Sequence, residues 1–352
     1  KRKKKNESLS LIYSRVNNPN MQILEEKLSV INNYENTLVF SSGMAAISNT
    51  CFTFTKPGDI ILFSNPVYGG TEYLFNIILP KKGVQCIPFP SGSTSSEIAL
   101  LIGGIEKKKI KIIFVETPCN PLLKLTSLKE IKKIKSYCRQ SISVIDNTFA
   151  GPYYLKPSEF GCDITLYSVT KFIAGHSDVI AGSVSGSNYL LSLINETRTI
   201  MGSIPDPNTC WLIQRSLPTL KLRMDQQTEN TLQIINFLKI NSKIKKIYYP
   251  GINDKEIFEQ EYSNSGSIFS FEVYGDLNKV YTLLNSCKIF ILAVSLGGIE
   301  SLIQHPATMT HSDMSQKQLQ DSGISESLIR CSVGLENYND LIYDLKQALD
   351  KI

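Results

Sequence analysis

One part of the chain places an amine, two hydroxyls and a carboxylate where they could act together. Lys171 follows Ser168 and Thr170 in the run SVTK, and Asp146 ends the apolar run SVID upstream. A lysine amine can form a reversible carbon–nitrogen double bond with an aldehyde. Hydroxyls can hydrogen-bond a phosphate, and a carboxylate can keep a ring nitrogen protonated. The four side chains therefore suit a ligand with an aldehyde, a phosphate and a nitrogen heterocycle.

Pyridoxal 5'-phosphate (PLP) carries these three groups on one ring. When its ring nitrogen is protonated, the ring accepts electrons from an attached amino acid. We therefore predict that Lys171 binds PLP covalently, that Asp146 pairs with the ring nitrogen, and that Ser168 and Thr170 bind the phosphate. The alternatives are a solvated surface charge for Lys171 and a helix N-cap for Asp146.

Three turns carry further groups of this kind. Gly43 and Met44 lie where a predicted strand gives way to a helix, and backbone N–H groups at such a point can bind phosphate. Tyr68 stands in the Gly-rich run YGGT, where its ring could stack on a flat cofactor and its hydroxyl could move a proton. Asn120 follows a predicted strand, at the end where open α/β sheets bind ligands. The alternatives are a packing Tyr and an ordinary Asn-Pro turn.

Two arginines could hold anions. Arg15, in the run YSR that begins at Tyr13, could clamp a phosphate or simply be a surface charge. Arg330 lies inside the apolar run LIRCSVG, and an arginine among core residues needs an anionic partner. That partner is either a substrate carboxylate or a structural salt bridge.

The bulk composition argues against several other classes of protein. The net charge is +5, and because much of it lies in the run from Lys1 to Lys5, nothing favours binding to nucleic acid. No apolar run approaches the ~18 residues of a membrane span, and no signal-peptide pattern follows the basic run. The eight cysteines form no C-x-x-C pair and only three histidines occur. We therefore predict no metal site and a reducing, cytoplasmic location.

Short apolar runs alternate with helical patterns through the first part of the chain. Buried strands are predicted at 38–40, 60–63, 112–115, 143–146, 164–168 and 180–184, and helices at 21–34 and 128–137. This alternation favours a mostly parallel sheet covered on both faces. After Trp211 the pattern predicts a long helix at 217–238, which Pro218 could break, a half-buried strand at 267–273 and a final helix after Asn339. These elements indicate a smaller α+β domain.

In their order along the chain, these runs resemble the PLP-dependent enzymes of cysteine and methionine metabolism. That family includes cystathionine synthases and lyases, methionine γ-lyases and O-acylhomoserine sulfhydrylases. The matching runs are YSRVNNPN, FSSGMAAI, YGGT, ETPCNP, VIDNTFAGPY, YSVTKFIAGHSDVIAG, LAVSLGGIESLIQHPATMTH and IRCSVGLE. They cover nearly the whole chain from Tyr13 to Glu336. The resemblance implies an aspartate-aminotransferase-like α/β fold (PLP fold type I), with a large, mostly parallel sheet domain and a smaller C-terminal α+β domain.

The resemblance also implies a role for each site residue. Lys171, Tyr68 and Asp146 would be catalytic, with Lys171 moving protons and Tyr68 assisting the leaving group. The implied cofactor-binding residues are Tyr13, Arg15, Gly43, Met44, Tyr68, Asn120, Asp146, Ser168, Thr170 and Lys171. Arg330 would bind the substrate α-carboxylate, assisted by Asn120 and Ser295.

The assembly implied by the resemblance is a homotetramer built from catalytic dimers. Tyr13 and Arg15 would reach the phosphate site of a neighbouring subunit. We divide the chain accordingly into an N-terminal arm that contacts the neighbour (1–40), a PLP-binding large domain (41–215) and a C-terminal small domain (216–352). Twelve residues precede Tyr13 and the chain does not begin with Met, so we expect it to be shortened relative to family members.

Several positions bear on the reaction. Val294 stands where cystathionine-cleaving members often carry Glu, and Tyr73 where they often carry Arg. Methionine γ-lyases share this Val, although Gly70 and the pair Arg198-Thr199 replace residues that mark many of them. We predict a methionine γ-lyase-like carbon–sulfur lyase that eliminates thiol from methionine- or homocysteine-type substrates. The alternatives are γ-replacement (O-acetylhomoserine sulfhydrylase or cystathionine γ-synthase) and a cystathionine γ- or β-lyase. From outside this family, an aminotransferase or a catalytically silent PLP-binding protein remain as competing interpretations.

Overall fold

The computed structural model describes residues 11–310, 317, 319 and 322–352. The predicted basic tail at Lys1–Lys5 lies outside the described residues, as does His311, the last residue of the QHPATMTH run.

A seven-stranded sheet forms the centre of the larger part of the protein. Its strands are β1 (Asn36–Phe40), β2 (Ile60–Asn65), β3 (Gln85–Pro90), β4 (Ile110–Glu116), β5 (Ile142–Asp146), β6 (Ile164–Ser168) and β7 (Gly182–Gly186). Their order across the sheet is β1-β7-β6-β5-β4-β2-β3. The pairs from β3 to β6 are parallel, whereas β7 is antiparallel to both β6 and β1. The carboxyl ends of β4, β5 and β6 therefore meet at one edge of the sheet.

A five-stranded sheet forms the smaller, C-terminal part. Its strands are β8 (Ile244–Tyr248), β9 (Ile268–Val273), β10 (Ile291–Leu292), β11 (Leu302–Gln304) and β12 (Leu328–Ser332), in the order β10-β11-β12-β9-β8. Only the pair β10–β11 is parallel within this sheet.

Helices cover both sheets and connect the strands. The α-helices are α1 (Pro19–Asn32), α2 (Gly43–Phe54), α3 (Gly69–Tyr73), α4 (Ser95–Leu101), α5 (Leu128–Tyr137), α6 (Gly151–Tyr154), α7 (Asn188–Met201), α8 (Pro207–Ser216), α9 (Leu220–Lys239), α10 (Lys255–Glu261), α11 (Leu277–Ser286) and α12 (Tyr338–Leu349). Among the described residues, no helix is long and apolar enough to cross a membrane.

Local chemistry explains where several helices begin. The side chain of Asn18 accepts from the Met21 N–H at 2.8 Å, and Pro19 occupies the first turn of α1. Ser42 caps α2 in the same way, by accepting from the Ala45 N–H at 3.0 Å. Because these polar residues directly precede the helical pattern, the start of each helix is encoded locally.

The predicted large, mostly parallel sheet domain and smaller α+β domain are both present, with three local differences. The strand predicted at 180–184 begins at Gly182, because the backbone N–H and C=O of Ala181 bond to Thr170 instead of a strand. The predicted long helix begins at Leu220, after a 3₁₀ turn at Leu217–Thr219 that contains Pro218. The final helix begins at Tyr338, capped by Asn337, two residues before the predicted start after Asn339.

The half-buried pattern predicted for β9 is wrong, since all six of its residues are buried. Phe269 and Phe271 lie in the hydrophobic core, while Ser270 donates to the carbonyl of Pro121 at 2.7 Å. Ser270 therefore faces the large domain, whereas Glu272 accepts from Lys245 and Tyr248 of β8.

The predicted division at residue 40 assigns β1 to the arm. In the structure β1 pairs with β7 over its full length, from Asn36 opposite Gly186 to Phe40 opposite Gly182. Strand β1 thus belongs to the large sheet, and contact of the preceding segment with a neighbouring subunit stays a prediction.

Candidate cofactor and substrate site

A cavity of about 310 Å³ opens where β4, β5 and β6 end. The last residue of each strand lines it, namely Glu116, Asp146 and Ser168. Ser295 and Arg330 line it from the C-terminal domain. Side chains from both domains thus face one space, at the end of the parallel strands where such sheets bind ligands.

Lys171 lies in the turn that follows β6, with its amine in this cavity. Its Nζ donates to the Ser295 hydroxyl at 2.7 Å. Burial lowers the pKa of Lys171 to about 8, and the positive charge of Arg330 acts in the same direction. A lowered pKa increases the fraction of the amine that is uncharged and nucleophilic near neutral pH.

The turn that carries Lys171 is held by a buried arginine from α9. The guanidinium of Arg223 donates to the carbonyls of Phe172 at 2.9 Å and of Ile173 at 3.4 Å. A Cβ on Gly175 would lie 1.9 Å from Arg223 Nη1, so the close approach requires glycine there. Arg223 therefore fixes the backbone directly after the lysine.

The amino-terminal end of α2 points into the cavity. A Cβ on Gly43 would lie 3.0 Å from Cβ of Ser168 and 3.2 Å from its hydroxyl, so the glycine lets the helix start against the end of β6. The N–H groups of Gly43 and Met44 belong to the first turn, where no intrahelical acceptor exists. These two N–H groups, which have no acceptor among the described residues, form a cradle for an anion together with the helix dipole and the Ser168 hydroxyl.

Thr170 lines the same cavity but its hydroxyl is engaged. Its Oγ1 donates to the Ala181 carbonyl at 3.1 Å and accepts from the Ala181 N–H at 3.0 Å. In this arrangement the hydroxyl holds the turn before Lys171 against Ala181, the residue that precedes β7. Phosphate binding by Thr170 stays a prediction.

Asp146 presents a buried carboxylate that is oriented by Thr148. Its Oδ1 accepts from the Thr148 hydroxyl at 2.6 Å and from the Thr148 N–H at 3.1 Å. The Thr148 hydroxyl also accepts from the Ser168 N–H at 2.9 Å. Burial raises the pKa of Asp146, whereas both bonds from Thr148 favour the charged form. Among the described residues no lysine or arginine pairs with this carboxylate, which suits a cationic group on a ligand.

Arg330 is a buried cation that lines the cavity from the C-terminal domain. Its Nη1 donates to the side-chain oxygen of Asn120 at 2.9 Å, and its Nη2 donates to the Ser295 carbonyl at 2.7 Å. Burial lowers its pKa to about 10. Its buried Nε finds no acceptor among the residues that the structure describes, and no ion pair compensates its charge there. The structural salt bridge considered for Arg330 is therefore absent from this part of the chain, and the residue suits an anionic ligand.

Tyr68 lies at the mouth of the cavity, with 47% of its surface exposed. It directly precedes α3, and its backbone N–H donates to Glu116 Oε2 at 2.7 Å. The ring thus borders the space above the buried carboxylates.

Tyr13 and Arg15 do not reach the cavity of their own chain. Tyr13 is 61% exposed, and Arg15 Nη1 donates to the Thr199 carbonyl at 2.7 Å. The neighbouring Arg198 does not line the cavity either, and it forms a buried ion pair with Glu25 at 2.6 Å. All other predicted site residues line the cavity: Gly43, Met44, Tyr68, Asn120, Asp146, Ser168, Thr170, Lys171, Ser295 and Arg330.

Three functional residues were not assigned from the sequence. Glu116 and Thr148 lie in runs that were singled out, ETPCNP and VIDNT, so a polar residue at a predicted strand end was an available signal. Arg223 lies on a helix that carries several charged residues, and nothing local distinguishes it from a solvated side chain.

The cavity residues fit PLP. The first turn of α2 with Ser168 suits the phosphate, Asp146 suits the ring nitrogen and Lys171 suits the aldehyde. Each of these three parts of PLP thus meets a protein group that is buried or has no other charged partner among the described residues. The fit therefore follows from the chemistry of the residues that line the cavity.

Known proteins are similar in sequence over nearly the whole chain. The L-methionine gamma-lyase of Fusobacterium nucleatum subsp. nucleatum is 38% identical over 98% of this chain and 88% of that protein. The cystathionine beta-lyase of Lactococcus lactis subsp. cremoris is 39% identical over 96% of this chain and 88% of that protein.

Solved structures share the fold. The cystathionine gamma-lyase of Lactobacillus plantarum complexed with L-serine has a TM-score of 0.92 at 36% identity, covering 100% of this chain and 91% of that one. The cystathionine gamma synthase of Xanthomonas oryzae pv. oryzae in complex with cystathionine has a TM-score of 0.93 at 31% identity, covering 98% and 89%. The predicted PLP fold type I is thereby confirmed. Residues 1–350 match the family described as Cys/Met metabolism PLP-dependent enzyme, and the chain belongs to that family, whose cofactor is PLP.

Proposed function

We propose that the protein is a PLP-dependent carbon–sulfur lyase of sulfur amino-acid metabolism, which eliminates a thiol from methionine- or homocysteine-type substrates. The observation that carries the proposal is one cavity that joins the Lys171 amine, the Asp146 carboxylate and the buried Arg330. The lyases named among its relatives support the reaction class.

Substrate binding depends on the guanidinium of Arg330. Asn120 and the Ser295 carbonyl hold its two terminal nitrogens, which leaves its charge for the α-carboxylate of an amino acid. A carboxylate anchored there lies beside the cavity that contains the lysine amine, so the Cα–H bond of the substrate is held within reach of Nζ.

The bound PLP supplies an aldehyde that attaches the substrate amine and a protonated ring that withdraws electrons from it. Lys171 Nζ removes the Cα proton, because its lowered pKa of about 8 suits a base near neutral pH. Ser295 accepts a hydrogen bond from this amine and keeps it in the cavity. Asp146 must be charged to hold the ring nitrogen protonated, and Thr148 stabilises that charged form. Tyr68 borders the mouth, where its hydroxyl can protonate a departing thiolate.

The charges beside the leaving-group position bear on the choice between methionine and cystathionine. Val294 lines both this cavity and an adjoining open groove, which contains the apolar residues Ile180, Ile291 and Ala293 and the carboxylates of Asp178 and Glu300. Among the described residues, Lys171 and Arg330 are the only lysine or arginine that line either space. The distal carboxylate of cystathionine would therefore lack a cation, which disfavours it relative to methionine.

Two alternatives remain within the family. Because relatives and similar structures include cystathionine beta- and gamma-lyases and a cystathionine gamma synthase, a cystathionine lyase or a γ-replacement enzyme would use the same buried residues. The two alternatives differ in whether a second substrate enters the space beside Val294 after the leaving group departs, as a γ-replacement enzyme requires and a lyase does not.

A substrate panel on the purified, PLP-loaded protein tests the proposal. We expect α-ketobutyrate and methanethiol from L-methionine, and a higher kcat/KM for methionine than for cystathionine. Lys171→Ala is the control and should release neither product. More product from O-acetylhomoserine plus sulfide than from methionine would favour replacement, and no ketoacid from any sulfur amino acid would refute the lyase.

We also propose that the chain acts as a homotetramer of catalytic dimers in the cytoplasm. The exposed Tyr13 and Arg15, which do not line their own cavity, support completion of the site by a second chain. All eight cysteines are free thiols, which supports a reducing compartment. Sedimentation velocity would test the assembly, and a stable monomer with full activity would contradict it.

A further inference from the structure

Glu116 is a buried carboxylate that the proposed steps leave unused. It ends β4, lies opposite Asp146 in the register of β4 and β5, and lines the cavity. Its Oε2 accepts from the Tyr68 N–H at 2.7 Å, and its Oε1 accepts from the Asn120 N–H at 2.9 Å. Tyr68 follows β2 whereas Asn120 follows β4, so one side chain ties two separate loops together.

Each loop carries a residue that the reaction needs. The Tyr68 loop brings the aromatic ring to the mouth of the cavity, and the Asn120 side chain accepts from Arg330 Nη1. Charge-assisted hydrogen bonds from backbone N–H groups are short and directional. The distance between the ring and the carboxylate-binding arginine is therefore set through the two oxygens of Glu116.

Opposing effects act on the charge of Glu116. Burial is the largest cause that raises its pKa, to about 8, and the negative charge of Asp146 acts in the same direction. The N–H groups of Tyr68 and Asn120 favour the charged form, as does Arg330. Because each oxygen of the carboxyl group faces an N–H donor, a proton on either oxygen would point at another donor, so the geometry favours the charged form in spite of the burial.

We propose that Glu116 is a positioning residue for the reaction, which holds Tyr68 and the Asn120–Arg330 pair in register through its two backbone contacts. The inference rests on the proposed function, since it assigns Tyr68 and Arg330 their roles in turnover.

A purely structural role is the competing explanation, and the chain contains a matched control. Glu261 is also buried, and at the start of α5 it accepts from the N–H groups of Leu128 at 2.7 Å and Lys129 at 3.3 Å and from the Ser127 hydroxyl at 2.5 Å. It does not line the cavity. Glu261→Gln and Glu116→Gln thus make the same chemical change at a remote place and at the site.

The experiment compares both variants in the PLP-loaded protein. In Glu116→Gln one side-chain amide faces a backbone N–H, so one contact is lost. We expect kcat/KM for L-methionine to fall about tenfold or more, which corresponds to about 1.4 kcal/mol. Glu261→Gln should stay within about twofold of the original protein, and Glu116→Asp, which keeps both acceptor oxygens, should recover part of the loss.

A double-mutant cycle separates positioning from general damage. If Glu116 acts on substrate binding through Asn120, the rise in KM caused by Glu116→Gln should largely disappear in an Asn120→Ala background. A fully additive rise in KM would overturn the proposed route through Asn120.

Hydrogen exchange supplies a readout that does not depend on turnover. In the PLP-free protein, the amides of Tyr68 and Asn120 should exchange faster in Glu116→Gln and remain unchanged in Glu261→Gln. Unchanged exchange at both amides, or a kcat/KM equal to that of the original protein, would overturn the inference. If the original protein released no ketoacid, the proposed function would fail, while the exchange result would still decide whether Glu116 ties the loops.

Discussion

Thr148 offers the most direct test of how this site keeps a buried carboxylate charged. Its hydroxyl donates to Asp146 Oδ1 at 2.6 Å and accepts from the Ser168 N–H at 2.9 Å. Thr148→Val keeps the shape of the side chain and removes both contacts. Thr148→Ser keeps the hydroxyl and is the matched control.

The expected size of the effect follows from these two bonds. A hydrogen bond to a charged group contributes about 1.5–3 kcal/mol, which corresponds to a loss of roughly 10- to 100-fold in kcat/KM if the charge on Asp146 is needed. The Ser168 N–H would also lose its acceptor, at a cost of about 1–3 kcal/mol in unfolding free energy. Activity and stability should therefore both fall in the Val variant.

The pH profile separates the electrostatic effect from loss of stability. Burial raises the pKa of Asp146, and the bond from Thr148 opposes that rise. Removing the bond must raise the pKa further, so the acid limb of kcat/KM should move to higher pH in Thr148→Val and stay in place in Thr148→Ser. An acid limb at the same pH in both variants would refute the assignment of Asp146 as the group whose charge limits turnover.

Three further results are expected. Arg330→Lys should raise KM for methionine about tenfold or more with a smaller change in kcat, because one ammonium cannot replace the paired contacts to Asn120 and Ser295; an unchanged KM would exclude Arg330 as the carboxylate partner. Glu25→Gln should lower the unfolding free energy by about 3–5 kcal/mol in urea titrations, because it leaves the buried Arg198 without its ion-pair partner, and a change below about 1 kcal/mol would contradict this. The pKa of Lys171 is lowered to about 8 from 10.5. Between these two pH values the folded PLP-free protein binds fewer protons than the unfolded chain, so its free energy of unfolding increases with pH in this range. Lys171→Met should thus have a larger free energy of unfolding than the original PLP-free protein at pH 7. Urea titrations at pH 7, 9 and 10.5 should show that this difference in unfolding free energy becomes smaller as the pH rises. A difference that does not change with pH would show that Lys171 is not desolvated.

The elements that position the site were mostly readable from local pattern. Strand β5 and helix α5 were predicted within one residue of their bounds, since buried apolar runs and a Ser N-cap are local signals. The errors occurred where another segment decides the outcome. Strand β9 is predicted to be half-buried because its polar residues alternate with apolar ones. Contacts of Ser270 with the loop at Pro121, and of Glu272 with Lys245 and Tyr248, bury the polar face as well.

The candidate site divides in the same way. Lys171 and Asp146 could be predicted as site residues because they lie at or just after predicted strand ends, and both line the cavity. Glu116 gained its significance only when the fold brought Tyr68 and Asn120 to its two oxygens. The roles of Tyr13 and Arg15 stay predictions, because the groups they would meet do not belong to their own chain.

The order of residue types along the chain determined the fold class and the cofactor and predicted the residues that would react with it, because these depend on local periodicity and on the chemistry of individual side chains. The tertiary structure decided which charges act on one another. Burial lowers the pKa of Lys171 and raises that of Asp146, and contacts between distant segments align Arg330 with Asn120 and Ser295. Desolvation and orientation are properties of the folded surroundings of a group, and residue order alone does not specify them.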